Sequence, residues 1–258
     1  MKKTSSTYIT DDKKKFYQDK GYLHCEDFFS EIEIQNIIKW TNEIENFPLI
    51  KGKWMKFYDT SKKDSSKEIL SRVENFFNYH EKFHSFFTKK NIVQMISNLI
   101  GSDVILFKDK INCKYPGGDG FKAHQDATIW SGMYGIKEFI SMIISIDENT
   151  LENGCLELSE GQHKNGLLGP AWKELPKDIE SKLEWKPIIT KPGDVVFFND
   201  FMPHRSAINN SNKSRRLIFL SYNKLSEGDH REQYFKDKRK NFPPNNEREQ
   251  DKEYKYHI

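Results

Sequence analysis

His124 and Asp126 stand one residue apart, with Gln125 between them, in the stretch KINCKYPGGDGFKAHQD. In extended backbone, residues i and i+2 point to the same face, so an imidazole and a carboxylate would converge on one point. A lone His in a strand is ordinarily a hydrogen-bonded core or surface residue, and a third ligand is needed to make a site. His204, just behind the apolar run of FFNDFMPHRS, is the best candidate. Two His and one carboxylate on one face of an octahedral ion leave three positions open, which is the arrangement of non-haem Fe(II) oxygenases. Arg215 strengthens that reading, because it opens the apolar run 217–222. A buried guanidinium is costly unless paired, and its planar fork is a natural receptor for a carboxylate. A dicarboxylate co-substrate would supply one, so the combination points to iron and 2-oxoglutarate. His80 and His84 have the i, i+4 spacing of a zinc pair, but no third ligand lies near them.

The elements that must position these side chains are mostly short and alternating. Residues 103–107 and 111–114 read as two strands, and 138–147 as a central one. In the second, Lys110, Asn112 and Lys114 share one face by period two, either toward solvent or toward the interior. Pro116 to Gly120 is a turn that carries the backbone round to His124. Residues 127–135 read as an active-site loop, in which Trp130 either walls a pocket or packs. Arg205, beside His204, would reach a bound substrate or pair with an acidic neighbour. Upstream, 11–20 is an expected helix stopped by Gly21, 22–25 a strand, and Ser30 the N-cap of a long helix. The aromatic residues of 69–87 recur at irregular helical spacing, and 91–100 is a helix ended by Gly101. Residues 168–185 form an irregular insert over the barrel mouth, 195–198 a buried strand, and 226–244 an amphipathic helix. Polar tails are expected at 1–10 and 245–258, flanking a single domain.

The 258 residues suit one domain, and 36% hydrophobic with 14% aromatic side chains can fill a barrel core. A net charge of +3 against 41 basic and 38 acidic residues argues against nucleic acid as a partner. Cys25, Cys113 and Cys155 form no CxxC or zinc pattern and read as free thiols of a reducing compartment. The N-terminus has no apolar stretch behind its lysines, and no run is long enough to span a membrane. The expectation is a cytoplasmic monomer or homodimer acting on a small molecule.

The chain resembles the phytanoyl-CoA hydroxylase (PhyH-like) family of Fe(II)/2-oxoglutarate dioxygenases. The likeness runs through FYQDKGYLHCEDFFS, INCKYPGG, IDENTLENGCLELSEGQH and KPGDVVFFNDFMPHRS, nearly the whole chain. It implies a mainly β fold with flanking α-helices, a double-stranded β-helix (jelly-roll, cupin-like) barrel with the metal at its open end. It further implies Fe(II) on His124, Asp126 and His204, with 2-oxoglutarate and O2 as co-substrates and Arg215 clamping the far carboxylate. Asn112 and Ser141 fall where relatives set a polar residue against the co-substrate, with Lys114 beside them, and Trp130 where related hydroxylases wall the substrate pocket. A carboxylate at Asp126, where related halogenases have Gly or Ala, favours hydroxylation.

YPGGDGFKAHQDATIW and YNKLSEGDHREQYFKDKRKNFPPNNERE are most similar to the 2-aminoethylphosphonate hydroxylase branch of that family. Lys110 and Lys114 on the Asn112 face, with Arg205 beside the metal, would make a cationic pocket for a phosphonate or carboxylate. A long acyl-CoA would want an apolar channel, and none is evident. The expected substrate is a small, polar, anionic or zwitterionic molecule such as an aminophosphonate. The alternatives are an amino acid or betaine-like solute, which Trp130 could pack upon, and desaturation or cyclisation with the same ligands. Outside this chemistry stand a catalytically inactive ligand-binding barrel and a zinc hydrolase, the latter lacking a general base near the HxD pair.

Overall fold

The computed structural model describes residues 9–170 and 173–254, so the outermost parts of both expected tails lie outside the described residues. Helix α1 (Asp11–Lys20) starts where Thr10 Oγ1 accepts from Lys13 N and stops at Gly21, whose φ of 81° only glycine adopts without strain. Strand β1 (Tyr22–Cys25) follows, then α2 (Glu31–Glu45), which begins in a capping box between Ser30 and Glu33. Strands β2 (Met55–Thr60) and β3 (Glu68–Glu74) form a hairpin. The helical spacing read into 69–87 therefore holds only at its end, in α3 (Glu81–Phe87); α4 (Lys90–Ile100) comes next. Arg72 and Glu74, two apart in ILSRVE, hid β3, because these charged residues face the barrel interior rather than water.

The two strands expected over 103–114 are one, β4 (Val104–Lys114). Lys108, Asp109 and Lys110 look like a break, yet the outward Asp109 is buried and satisfied by the backbone N–H groups of Phe76 and Phe77. After β5 (Phe121–His124) the expected loop is instead helix α5 (Ala127–Tyr134), ended by Gly135 at φ 68°. Then come β6 (Phe139–Ser145), β7 (Leu156–Leu158), α6 (Lys177–Glu180), β8 (Lys186–Ile188), β9 (Val195–Asn199), β10 (His204–Ser206), β11 (Arg215–Lys224) and α7 (Arg231–Asn241).

All pairings are antiparallel, in a seven-stranded sheet ordered β1-β9-β6-β11-β4-β3-β2 and a four-stranded sheet ordered β5-β10-β7-β8. Between the sheets, Ile143, Val196, Phe198 and Leu217 meet Leu156, Leu158 and Ile188. The outer face of the large sheet, with Ile111, Ile144, Phe197 and Ile218, packs against Ile37, Phe83 and Ile96 of the N-terminal helices. One end of the barrel is filled by Phe57, Phe107, Trp130 and Phe139 under Tyr234 and Phe235 of α7. The segment after α7 is docked up to residue 248 rather than free: Asn245 bonds both backbone groups of Tyr58, and Glu247 pairs with Arg239.

Candidate active site

Strands β5 and β10 are paired in the small sheet with His204 directly opposite His124, so the two imidazoles meet with ring centroids 4.1 Å apart. Asp126 joins them by a different route from the one expected. Its backbone is helical (φ −60°, ψ −34°), because the chain turns from β5 into α5 within the HxD motif. The buried Gln125 points the opposite way and ties the turn down, donating to Gly166 O and Phe201 O and accepting from Leu168 N. His124, Asp126 and His204 end with ligand atoms within 4.8 Å of one another, all buried, the one cluster among the described residues able to hold a metal.

The tautomers follow from the acceptors. His124 Nδ1 lies 2.6 Å from Lys122 O and His204 Nδ1 3.1 Å from Met202 O. A carbonyl only accepts, so both Nδ1 atoms carry the proton and both Nε2 lone pairs are left for a cation. Burial, with His124 beside it, pulls His204 down to about 3, so its ring is neutral. Against its own burial, Asp126 is held well below the usual carboxylate range by His124, His204, Lys110 and Lys108. Two imidazoles, each with an Nε2 left free of the backbone, and one carboxylate are the donor set that suits Fe(II).

Arg215 opens β11 and is 2% exposed. Its Nη2 donates to Gly154 O at 2.6 Å, and its buried Nε has no hydrogen-bond partner. Lys114 is its cross-strand partner on β4 and donates to Ser206 Oγ, Ala207 O and Gly154 O. Burial and the neighbouring guanidinium pull the Lys114 ammonium down to about 6. A buried guanidinium beside a buried amine, with only neutral acceptors, fits a ligand that brings its own carboxylate and restores the charge of the amine. Asn112 stands one step along the same face, its buried Oδ1 also without a partner.

Lys110, Asn112 and Lys114 thus face the interior, as the resemblance implied. Lys110 lies with Nζ 4.5 Å over Phe219, lowered to about 8 by burial and by Lys108. A cavity of about 480 Å³ reaches His124 and Asn112 from outside, lined also by Arg72, Lys114 and Phe121, with Lys122 and Glu174 among its other residues. Glu174 and the buried Leu175, whose N–H bonds Ala123 O, bring the insert against β5 near this cavity.

Three expected site residues have other engagements. Arg205 alternates with His204 and Ser206 on β10 and points outward, pairing with Glu157 and Glu180 over the Trp185 ring, so it does not enter the pocket. Trp130 is 1% exposed and packs on Phe107 and Phe139 at the closed end, with Lys108 Nζ 4.8 Å over its ring. Ser141 Oγ bonds Asp200 and Ser221. Asp200 itself went unnoticed in the sequence. Burial and the charge of Asp126 keep its carboxyl well above the usual range, and its backbone carbonyl accepts from Ala127 N. Also missed were Arg72 and Glu74, on a strand not recognised as one. His80 serves structure, accepting from Phe83 N at the start of α3 while pairing with Glu43.

The phytanoyl-CoA dioxygenase (PhyH) family model matches residues 17–217. The chain belongs to this family. It is an enzyme, a non-haem iron and 2-oxoglutarate-dependent oxygenase on a double-stranded β-helix. A 2-aminoethylphosphonate dioxygenase from uncultured bacterium HF130_AEPn_1 is 43% identical, over 96% of this chain and 94% of the relative. A methylphosphonate hydroxylase from Gimesia maris is 36% identical, over 92% and 89%. Among solved structures, EctD from S. alaskensis with 2-oxoglutarate and 5-hydroxyectoine superposes with a TM-score of 0.74 at 21% identity. It covers 85% of this chain and 77% of that one and supports the fold. No helix among the described residues is long and apolar enough to cross a membrane.

Proposed function

We propose that this oxygenase hydroxylates a small phosphonate at carbon, with an aminophosphonate as the leading substrate. The observation that carries the reading is the interior basic face of β4, Lys108, Lys110, Asn112 and Lys114, set against the buried His124–Asp126–His204 cluster. An anionic substrate beside such a face loses little electrostatic stabilisation on leaving water. The 2-aminoethylphosphonate and methylphosphonate relatives support the same class.

His124, Asp126 and His204 would hold Fe(II), each imidazole through Nε2. Arg215 and Lys114 would take the distal carboxylate of 2-oxoglutarate, with Asn112 beside it. Bound there, iron supplies the oxidative chemistry by which O2 and 2-oxoglutarate yield succinate, CO2 and one oxygen atom on the substrate. The protein orients and keeps out water. Lys122 O and Met202 O fix the two imidazole tautomers, Gln125 holds the strand-to-helix turn, and Phe57, Phe107 and Trp130 close the far end of the barrel. The three buried free thiols support a reducing, cytoplasmic setting.

The test is a panel of 2-aminoethylphosphonate, methylphosphonate, amino acids, betaines and acyl-CoAs, scored by substrate-dependent succinate release and product mass. A gain of one oxygen on a phosphonate is expected, and loss of two hydrogens would mean desaturation instead. His124→Ala and His204→Ala should abolish metal binding, whereas Arg215→Ala should chiefly raise the 2-oxoglutarate requirement. Turnover of acyl-CoA alone would overturn the substrate reading.

A further inference from the structure

Strand β9 alternates its side chains across the large sheet, and its interior face carries Val196 and Phe198. The Phe198 ring meets the His204 ring edge-on, with centroids 5.2 Å apart. The same period sends Asp200 inward one step further on, where its N–H extends the ladder to Phe139 O. Asp200 is wholly buried. Its Oδ1 accepts from Ser141 Oγ at 2.8 Å, and Ser141 Oγ also lies 2.7 Å from Ser221 Oγ. Its Oδ2 has no hydrogen-bond partner.

A carboxyl in such a place is costly unless something completes it. Helix α5 is anchored by the backbone carbonyl of Asp200, so the side chain is not needed for that turn. The other inward acids have their own engagements. Asp126 belongs to the metal cluster, and Glu74 lies 2.6 Å from Lys238 Nζ. Asp200 keeps an oxygen that no donor among the described residues claims, and it keeps it beside the cluster. Its carboxyl is near enough to Asp126 to feel that charge, and near enough to Lys108 and Lys110 to feel theirs. It therefore stands between the metal ligands and the basic face of β4.

We propose that the open oxygen of Asp200 receives the ammonium group of the substrate, so that this oxygenase selects aminophosphonates over plain alkylphosphonates. The proposal rests on the phosphonate reading above. A zwitterion whose acid and amine are two carbons apart needs a basic face and an acid close together, and β4 and Asp200 supply them. Trp130, the residue that the sequence offered to an amine, packs instead at the closed end with Lys108 over its ring. Ser141 fixes Oδ1 and with it the direction of Oδ2. An arriving ammonium favours the charged carboxylate and forms a charge-assisted hydrogen bond with it. With one end on β4 and the other on Asp200, the two-carbon chain presents the same carbon to the metal cluster at each turnover.

The test compares 2-aminoethylphosphonate with n-propylphosphonate, in which a methyl group takes the place of the ammonium. Calorimetry on Mn(II)- and 2-oxoglutarate-loaded protein gives both affinities without turnover, for wild type and for Asp200→Asn. The asparagine keeps the shape and the acceptor for Ser141 but not the charge. Wild type should bind the aminophosphonate about 10- to 100-fold more tightly. Asp200→Asn should lose that preference through a weaker aminophosphonate Kd, with the n-propylphosphonate and 2-oxoglutarate values unchanged. A variant that keeps the preference shows that Asp200 is not the receptor, although the phosphonate reading stands. Equal loss of both phosphonates, or loss of 2-oxoglutarate affinity with them, makes Asp200 a structural residue and overturns the proposal. Wild type that binds the two phosphonates alike overturns it without recourse to any variant. Failure of wild type to bind either one sinks the phosphonate reading as well.

Discussion

Lys114 and Arg215 are the pair whose chemistry depends most on what lies between them. With only neutral acceptors around it, the Lys114 ammonium is depressed to about 6 in the folded protein, against about 10.4 in an unfolded chain. Between those values the unfolded chain holds a proton that the folded protein lacks. The contribution of this group to stability therefore rises as pH climbs from about 6 toward 10. A carboxylate placed against Lys114 reverses the preference, because an adjacent anion favours the charged amine. Uptake of 2-oxoglutarate should then take up a proton at pH 7 to 9. The Kd should weaken with rising pH, by at most about tenfold per unit, and Lys114→Met should flatten that slope. Calorimetry in buffers of different ionisation enthalpy measures the proton directly; no proton uptake by wild type would contradict the assignment. The residue types of the cluster were legible in the sequence, since HxD, a distant His and a following Arg are few and spaced. Asp200 was not, because only its burial against Asp126 gives it a role.

At the scale of elements, the approach to β7 is set by one glycine. Gly154 has φ +72°, and a Cβ on it would come 2.1 Å from Ala207 O. Its carbonyl accepts from Arg215 and from Lys114. Gly154→Ala should therefore cost about 2 kcal/mol or more in urea unfolding, and it should raise the 2-oxoglutarate KM by displacing that carbonyl. A variant with wild-type stability and KM would show that the turn relaxes freely. Strands β1, β9 and β11 and helices α1, α2 and α4 were readable, because caps, glycine stops and apolar alternation are local signals. Strand β3 was hidden by its inward Arg72 and Glu74, and the continuity of β4 by its charged centre. Helix α5 was hidden by its position next to a ligand, where a loop is the ordinary expectation.

Across the whole molecule, α7 closes one end of the barrel through charges as well as rings. Arg231 Nη2 lies 2.5 Å from Asp109 Oδ1, and Lys238 reaches Glu74. Asp109 is wholly buried, so Asp109→Ala leaves a nearly buried guanidinium and the N–H groups of Phe76 and Phe77 without their acceptor. A loss of about 3 kcal/mol is expected, read as a lowered melting temperature with an open, faster-exchanging α7 in hydrogen exchange. Unchanged stability would mean that the aromatic contacts of Tyr234 and Phe235 hold α7 alone. By itself the sequence offered the metal-ligand candidates and an arginine suited to a dicarboxylate through spacing, whereas the barrel class and the inward face of 110–114 came from the family resemblance, the period-two pattern leaving that face open. Only the tertiary structure decided that Arg205 faces away from the site, that Trp130 packs at the closed end, and that Arg72 joins the cavity. Cross-strand register and the docking of α7 set those outcomes. Both arise from contacts between residues far apart in the chain, which no local period records.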